Sequence, residues 1–416
     1  MNFTKDFFNL LLNFGDKWVI TNIESNHKTH EIYLDVEYDV DYYEDPLTFL
    51  QAQLCDHVEV CVWQHLDILH YKSYVRCRIS IVRCFNGKVR QISGWTDKHD
   101  RNTFSFEIRV IDLVKVIKNQ SKTSEYLNSS FRLASRNIHR STQRGMERRN
   151  YSHIPSEHII IDEKSFRKGH QYVTVISHSR SGIILDVGQG RDRISTKLLL
   201  KKILKKAQLG SIHKVSLDMW SPYMKSVKQK AFNAEIVHDK FHLIKYLNQA
   251  IDKVRHREVQ KNQVLKKSRY VMLENDQKLI AKQIAKHQMI KDSNFEISKA
   301  MNIQENFKSV FDYCHDEGGV IEILTCWAQD SYQKFIKEIN KKVVTTFFKH
   351  AWDIVNSLIS VLNITMSERL YVKIQVIKIA AIGFGKFQNY ESAILFFHGW
   401  LGLYPENIIR TTTKVI

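Results

Sequence analysis

The feature that most constrains this chain is the order of short apolar runs between residues 158 and 237. His158-Ile-Ile-Ile-Asp162, Tyr172-Val-Thr-Val-Ile-Ser177 and Gly182-Ile-Ile-Leu-Asp-Val187 each have the length and β-branched content of a buried strand. A Lys-rich amphipathic helix follows over 195–208. Then come the apolar strand His213-Lys-Val-Ser-Leu-Asp218 and a short fifth strand, Ala234-Glu-Ile-Val237. The order β-β-β-α-β-α-β predicts a sheet that starts as an antiparallel set and carries carboxylates at the ends of its first and fourth strands, Asp162 and Asp218.

Beyond this block the chain reads as helical. Only 4 Pro and 15 Gly in 416 residues argue against a turn-rich β-sandwich. Residues 243–356 contain no proline and repeat apolar residues at helical spacing, as in Leu243/Leu247/Ile251/Val254 and Phe347/Phe348/Trp352/Ile354/Val355. The hydrophobic content of 43% and charged content of 25% exclude collagen-like and wholly disordered chains. No run approaches the ~18 apolar residues of a membrane span. Met1–Gly15 does not read as an export signal, because Asp6 and Asp16 bracket its apolar stretch. A cytoplasmic protein with reduced thiols and no membrane partner is expected.

The formal charge of +18 is unevenly placed, with only three lysines against twelve acids in residues 1–60. This acidic opening reads as weakly ordered over 1–45. Short strand-forming runs between 58 and 92, with Asn86-Gly87 as a turn, predict a small β unit. Helical periodicity takes over from Phe106, with Ser121 and Ser124 as candidate caps of a second helix. In the third helical stretch, Arg132, Arg136, Arg140 and Arg144 recur every four residues and form a cationic stripe, while Leu133, Ile138 and Met146 face inward. Three short helices ending in such a stripe suit a helix-turn-helix that docks its last helix on DNA; the plainer reading is a solvated charged face.

Chemistry resides in the strand-end acids. Several carboxylate oxygens converging on one point can hold two divalent ions about 4 Å apart. Two aspartates at strand ends are by themselves a weak signal, since aspartate also ends strands as a turn residue. The spacing of His238, Asp239 and His242 could also hold a metal, or serve a structural turn. Trp220, beside Asp218, reads first as core and otherwise as a base-stacking platform.

The residues around these acids sharpen the reading. Ile161-Asp162-Glu163-Lys164-Ser165-Phe166-Arg167-Lys168-Gly169-His170, Asp218-Met-Trp-Ser-Pro-Tyr223 and Asn233-Ala-Glu-Ile-Val-His-Asp239-Lys-Phe-His242 closely resemble the ISL-three-type bacterial insertion-sequence transposases. The likeness continues through Leu247–Arg255, Lys373–Lys378, Gly383-Phe384, Phe387–Tyr390 and Ile394–Phe397. The resemblance implies a DDE transposase with an RNase-H-like catalytic domain, acting with Mg²⁺ or Mn²⁺ in a two-metal site. Its three acids map onto Asp162, Asp218 and Glu368, with the helical stretch inserted before the third. It further implies that Asp239 and His242 support the site and that Lys164, Arg167 and Lys168 hold phosphates. The partners would be double-stranded DNA (terminal inverted repeats and target) and a second copy of the chain, in at least a dimer at the nucleoid.

The expected fold class is α+β and predominantly helical. Its layout is an N-terminal β unit over 1–105, a helix-turn-helix over 106–150, the catalytic core over 155–242 and 357–416, and a helical insertion over 243–356. The sequence departs from the family in two places. The zinc-ribbon knuckles are missing, since Cys55/Cys61 and Cys77/Cys84 lack zinc spacing, so zinc is not expected as a cofactor. Around the third acid, Ile364, Tyr371, Ile379, Ala380 and Gly385 replace the polar and basic residues typical of the family. A catalytically weak or inactive terminal-repeat binder, either a decayed copy or a repressor, is therefore the alternative; a nuclease acting on RNA–DNA hybrids is a more distant one.

Overall fold

The computed structural model describes residues 3–12, 14–15, 17–45, 48, 50–57, 59–84, 87–90, 94–97, 101–150, 157–167, 169, 171–207, 212–238, 240–273, 280–313, 316–334, 336–339, 343–359, 365–381 and 384–405. The chain forms two compact units, one of residues 1–149 with 401–416 and the other of residues 150–400. The last residues thus belong with the first unit and not with the expected second half of the catalytic core.

The first unit opens with helix α1 (Phe3–Leu12) and strands β1 (Trp18–Asn26) and β2 (Glu31–Tyr38), so the opening segment is ordered, contrary to the sequence reading. Glu24, Glu31, Asp35 and Glu37 lie on the outer positions of these paired strands, where alternation leaves them half-buried or exposed. Strands β3 (Tyr43–Glu44), β4 (Gln51–His57), β5 (Cys61–Gln64), β6 (Lys72–Cys77), β7 (Ser80–Cys84) and β8 (Gly87–Arg90) follow. They form two four-stranded sheets, ordered β1-β2-β6-β5 and β3-β4-β7-β8. Gly87 opens β8 with φ +115°, a conformation that favours glycine; Asn86 lies outside the described residues. Trp18, Trp63 and Trp95 meet edge-on in the core beneath the first sheet. Cys77 lies in the same core opposite Cys61, and burial pushes its thiol up to about 12.

Three helices follow, α2 (Phe104–Ile117), α3 (Gln120–Tyr126) and α4 (Phe131–Arg148). Each begins at a side-chain cap: Thr103, Asn119 and Ser130 accept from the backbone N–H groups of Phe106, Lys122 and Leu133. Asn119 takes the cap expected of Ser121 or Ser124, because Ser124 is buried with its hydroxyl donating to the Gln120 carbonyl.

The arginine stripe on α4 divides in two. Positions four apart on an α-helix advance by about 40° per step, so a row of four winds through about 120°. Arg132 and Arg136 lie at the exposed start of the row. Arg140 and Arg144 have turned toward the interior, where Arg140 donates to Asp97 at 2.9 Å and Arg144 grips Glu107 through both guanidinium nitrogens at 3.0 and 3.1 Å. Arg144 also donates to the Leu403 carbonyl. Glu107 is fully buried on α2. The second pair of the stripe is therefore engaged with acids of this chain. Inward-facing Ile138 is buried as expected, whereas Leu133 and Met146 are half-buried; Ala134, Ser141 and Gly145 complete the buried face.

The second unit is built on one five-stranded sheet. Strands β9 (His158–Arg167), β10 (Gln171–His178) and β11 (Ile184–Gln189) are antiparallel, and β12 (Lys214–Leu217) and β13 (Glu235–His238) run parallel to β9. The spatial order is β11-β10-β9-β12-β13. Crossover helices α5 (Arg193–Ala207) and α6 (Ser221–Lys230) join the parallel strands, as parallel pairing requires. Asp192 caps α5 by accepting from the N–H groups of Ile194 and Ser195.

After β13 the described residues are helical up to 359: α7 (Lys240–Val259), α8 (Arg269–Leu273), α9 (Ala281–Lys291), α10 (Glu296–Tyr313), α11 (Glu317–Gln333), α12 (Lys337–Ile339), α13 (Thr345–Lys349) and α14 (Ala351–Ile359). They share an apolar core that includes Leu243, Leu247, Ile251, Phe307, Trp327 and Phe347. Helices α15 (Thr365–Ala380) and α16 (Phe387–His398) then return to the sheet. Lys378 of α15 donates to the Ser165 carbonyl of β9 at 2.7 Å, and Tyr390 of α16 stacks on Phe166. Among the described residues no helix is long and apolar enough to cross a membrane.

Removing Arg144 would strand the buried Glu107 carboxylate. Arg144→Ala should cost about 3 kcal/mol in urea unfolding followed by circular dichroism, whereas Arg132→Ala should stay within about 0.5 kcal/mol of wild type. Equal effects would mean that the Glu107 pair carries no stability.

Candidate active site

Asp162 and Asp218 meet through strand register. In the parallel ladder Lys214 pairs with His158 and Leu217 with Ile161, so the next residue on each strand is Asp218 and Asp162. The two carboxylates thus leave adjacent strands at the same level. Asp162 does not end its strand, as the sequence suggested. β9 runs on to Arg167 against β10, with Asp162 opposite Val175, and only its pairing with β12 stops there. Past Leu217, the chain turns through Asp218–Trp220 into α6, which has a proline in its first turn.

Each carboxylate has a basic side chain of this chain beside it. The Lys164 ammonium contacts Asp162 Oδ2, while Asp162 Oδ1 accepts from the Glu163 N–H. His242, in the first turn of α7, sets its Nδ1 3.3 Å from Asp218 Oδ2, and the Met219 N–H donates to Asp218 Oδ1 at 2.7 Å. Burial alone would raise the Asp218 carboxyl. The His242 ring, the Met219 N–H and Lys245 outweigh it and hold the group below the ordinary aspartate range.

The other expected site residues are placed as follows. Glu368 falls on α15, the helix that Lys378 anchors to β9, and its side chain lies outside the described residues, as do Asp239 and Lys168. Lys164 is 6% exposed and committed to Asp162, which makes it a partner of the acid and not an open phosphate contact. Arg167 donates to the carbonyls of Phe384 and Gly385, so it ties β9 to the segment before α16. His238 and His242 separate: His242 serves Asp218, while His238 faces His350 and Asp353.

Sequence reasoning missed Arg191. Its guanidinium lies 4.0 Å from the Tyr172 ring centroid and 4.8 Å from that of Trp220, and it donates to both oxygens of Glu163. Trp220 is 37% exposed and donates from Nε1 to the Arg191 carbonyl at 3.0 Å, so it is not core. An exposed tryptophan stacked on an arginine presents a flat cationic surface beside Asp218. The lone signal was the Trp directly after Asp218-Met219; nothing in the sequence pairs it with residue 191.

Residues 159–394, more than half of the chain, match the ISL3-type DDE family, described as Transposase. The chain is also 23% identical over 243 residues to the transposase for insertion sequence element IS1001 of Bordetella parapertussis, covering 55% of this chain and 57% of that protein. The chain thus spans little more than half the length of that relative. This chain belongs to the ISL3-type DDE transposase family.

The depressed Asp218 carboxyl stabilises the fold at pH values above its unfolded pKa of about 3.9, and this contribution is lost as pH falls through the lower folded value. With aspartate side chains labelled with ¹³C at Cγ, Asp218 should titrate below about 3.9 in the wild type and above it in His242→Ala. Identical titrations in the two proteins would remove the His242 pairing.

Proposed function

We propose that residues 150–400 form an RNase-H-like catalytic core with a helical insertion, and that the protein cuts and rejoins DNA at the terminal repeats of an insertion sequence. The single observation carrying this reading is the register that sets Asp218 beside Asp162 on adjacent parallel strands. Membership of the transposase family supports the reaction class. The third acid is Glu368, presented by α15.

The donor set fits divalent magnesium or manganese. Two carboxylates at one level supply hard oxygen ligands, and Asp162 already draws a buried ammonium to its outer oxygen. Asp162, Asp218 and Glu368 would hold the ions, which when bound supply activation of water or a 3′-hydroxyl and neutralise charge on the leaving 3′ oxygen. His242 keeps Asp218 ionised and fixes the direction of its free lone pairs. Lys164 balances Asp162 until a divalent ion competes for it. Arg191, held flat between Tyr172 and Trp220, offers a stacking and phosphate-facing surface next to Asp218.

DNA ends would be recognised by the three helices α2–α4, acting as a helix-turn-helix. Arg132 and Arg136, both exposed on α4, are the arginines of the stripe we assign to phosphate contacts. Pairing two DNA ends calls for at least a dimer. The second reading, a binder that occupies the ends without cutting, draws on Ile364, Tyr371, Ile379, Ala380 and Gly385 near the third acid.

The deciding experiment is a cleavage assay on DNA carrying the element's ends, with Mg²⁺ or Mn²⁺. Wild type should nick the ends; Asp218→Ala should not; Asp162→Asn should lose nicking yet bind ends within a few-fold. Tight binding without nicking in either metal would favour the binder. Separately, Arg132→Ala combined with Arg136→Ala should flatten the salt dependence of end binding by about 2 units of log–log slope. An unchanged slope would take α4 out of the DNA interface.

A further inference from the structure

His238 is the last residue of β13 and has a wholly buried ring. Its Nδ1 lies 3.2 Å from the Leu217 carbonyl on the neighbouring strand. A carbonyl only accepts, so Nδ1 carries a proton, and in the neutral ring Nε2 presents a lone pair. That lone pair has no hydrogen-bond partner, and it faces Asp353 Oδ2 at 3.7 Å. His350 brings its Nδ1 to 3.7 Å from the same oxygen. The three ligand atoms lie within 4.8 Å of one another. Two acceptors facing each other in a buried place are costly unless a cation sits between them.

The surroundings are built for such an ion. His350 and Asp353 are three residues apart, at the start of α14, and so share a face. The same helix places Ser357 Oγ 2.5 Å from the His238 N–H, which it accepts, locking α14 against the end of β13.

We propose that His238, His350 and Asp353 form a transition-metal site, suited to zinc, that clamps the last helix of the insertion to the edge strand of the sheet. It is separate from the Asp162/Asp218 pair and does not depend on the proposed DNA chemistry. Ligands bound tetrahedrally to zinc at 2.0–2.1 Å stand about 3.3 Å apart, so each 3.7 Å histidine–aspartate separation needs a few tenths of an ångström of closure, and the two histidines, within 4.8 Å, need at most about 1.5 Å. Two imidazoles with one carboxylate favour zinc, cobalt or nickel over magnesium, which prefers oxygen ligands. The partly exposed side of His350 and Asp353 leaves the fourth position to water. Through Nδ1 the clamp would also brace the Leu217 carbonyl, one residue before Asp218.

The test uses the untagged full chain, stripped with EDTA and titrated with cobalt(II) chloride. One equivalent should give the visible absorption of tetrahedral cobalt(II), and zinc should displace it. The signal should persist in an Asp162→Asn, Asp218→Asn double variant. Losing an outer partner alone costs 10–100-fold in metal affinity, so His350→Ala and Asp353→Asn should each weaken binding at least tenfold. Their circular dichroism in EDTA should match that of wild type. No saturable tetrahedral signal in wild type would overturn the site, as would a signal unchanged in His350→Ala. A signal lost in the double aspartate variant would assign the ion to the acids instead and equally overturn it.

Discussion

The pairing of β9 with β12 is the constraint on which the second unit depends. β9 is the central strand, and its residues Ile159, Ile160 and Ile161 are buried. Side chains alternate across a strand, so slipping β12 by one residue would send Asp218 to the opposite face and away from Asp162. The register is fixed from behind by the core under the sheet, where Leu199 and Leu200 of α5 and Tyr223 and Val227 of α6 pack on Val215 and Leu217. Apolar packing sets the level of the strands, and the carboxylates meet as its consequence.

Bringing acids together has an electrostatic cost, and the sheet meets it locally. Asp162 has Lys164, Glu163 has Arg191, Asp218 has His242 and Asp186 has Lys202. Each carboxylate is matched by a cation from the strand, helix or loop nearest to it, so the unit can fold with its acids ionised. Glu391 shows what happens where the match is poor. Burial and the neighbouring Asp186 push its carboxyl up to about 7 despite Lys202. On the proposed reading, Asp162 would hold a divalent ion only in competition with its Lys164 ammonium.

The order of strands and helices over 158–238 was legible because strands buried on both faces read as unbroken apolar runs. The acids were legible as a candidate pair on neighbouring strands, but the Leu217–Ile161 register that sets them at one level was not. Residues 1–45 read as a weakly ordered opening, although the alternation of acids and apolars from Asp35 to Asp45 already had the pattern of a half-exposed strand. The β1–β2 pairing and the more distant Lys72–Cys77 strand order the segment. The arginine stripe misled for a related reason. A four-residue period identifies the helix, but the acids that claim Arg140 and Arg144 come from Asp97 and Glu107, outside that helix. His350 and Asp353 lie more than a hundred residues from His238 and carried no signal at all.

Ile379, Ala380 and Gly385 lie near Glu368, the acid proposed as the third of the set. Two links hold the α15 region beside β9: Lys378 donates to the Ser165 carbonyl, and Arg167 donates to the carbonyls of Phe384 and Gly385. In both, the acceptor is backbone, which any residue supplies. Ile379, Ala380 and Gly385 therefore remove positive charge without cutting either link. The expected penalty falls on phosphate attraction, which is screened by salt, and not on the level at which α15 is held against the sheet. Loss of charge and loss of geometry are separable here, and the backbone acceptors are what separate them.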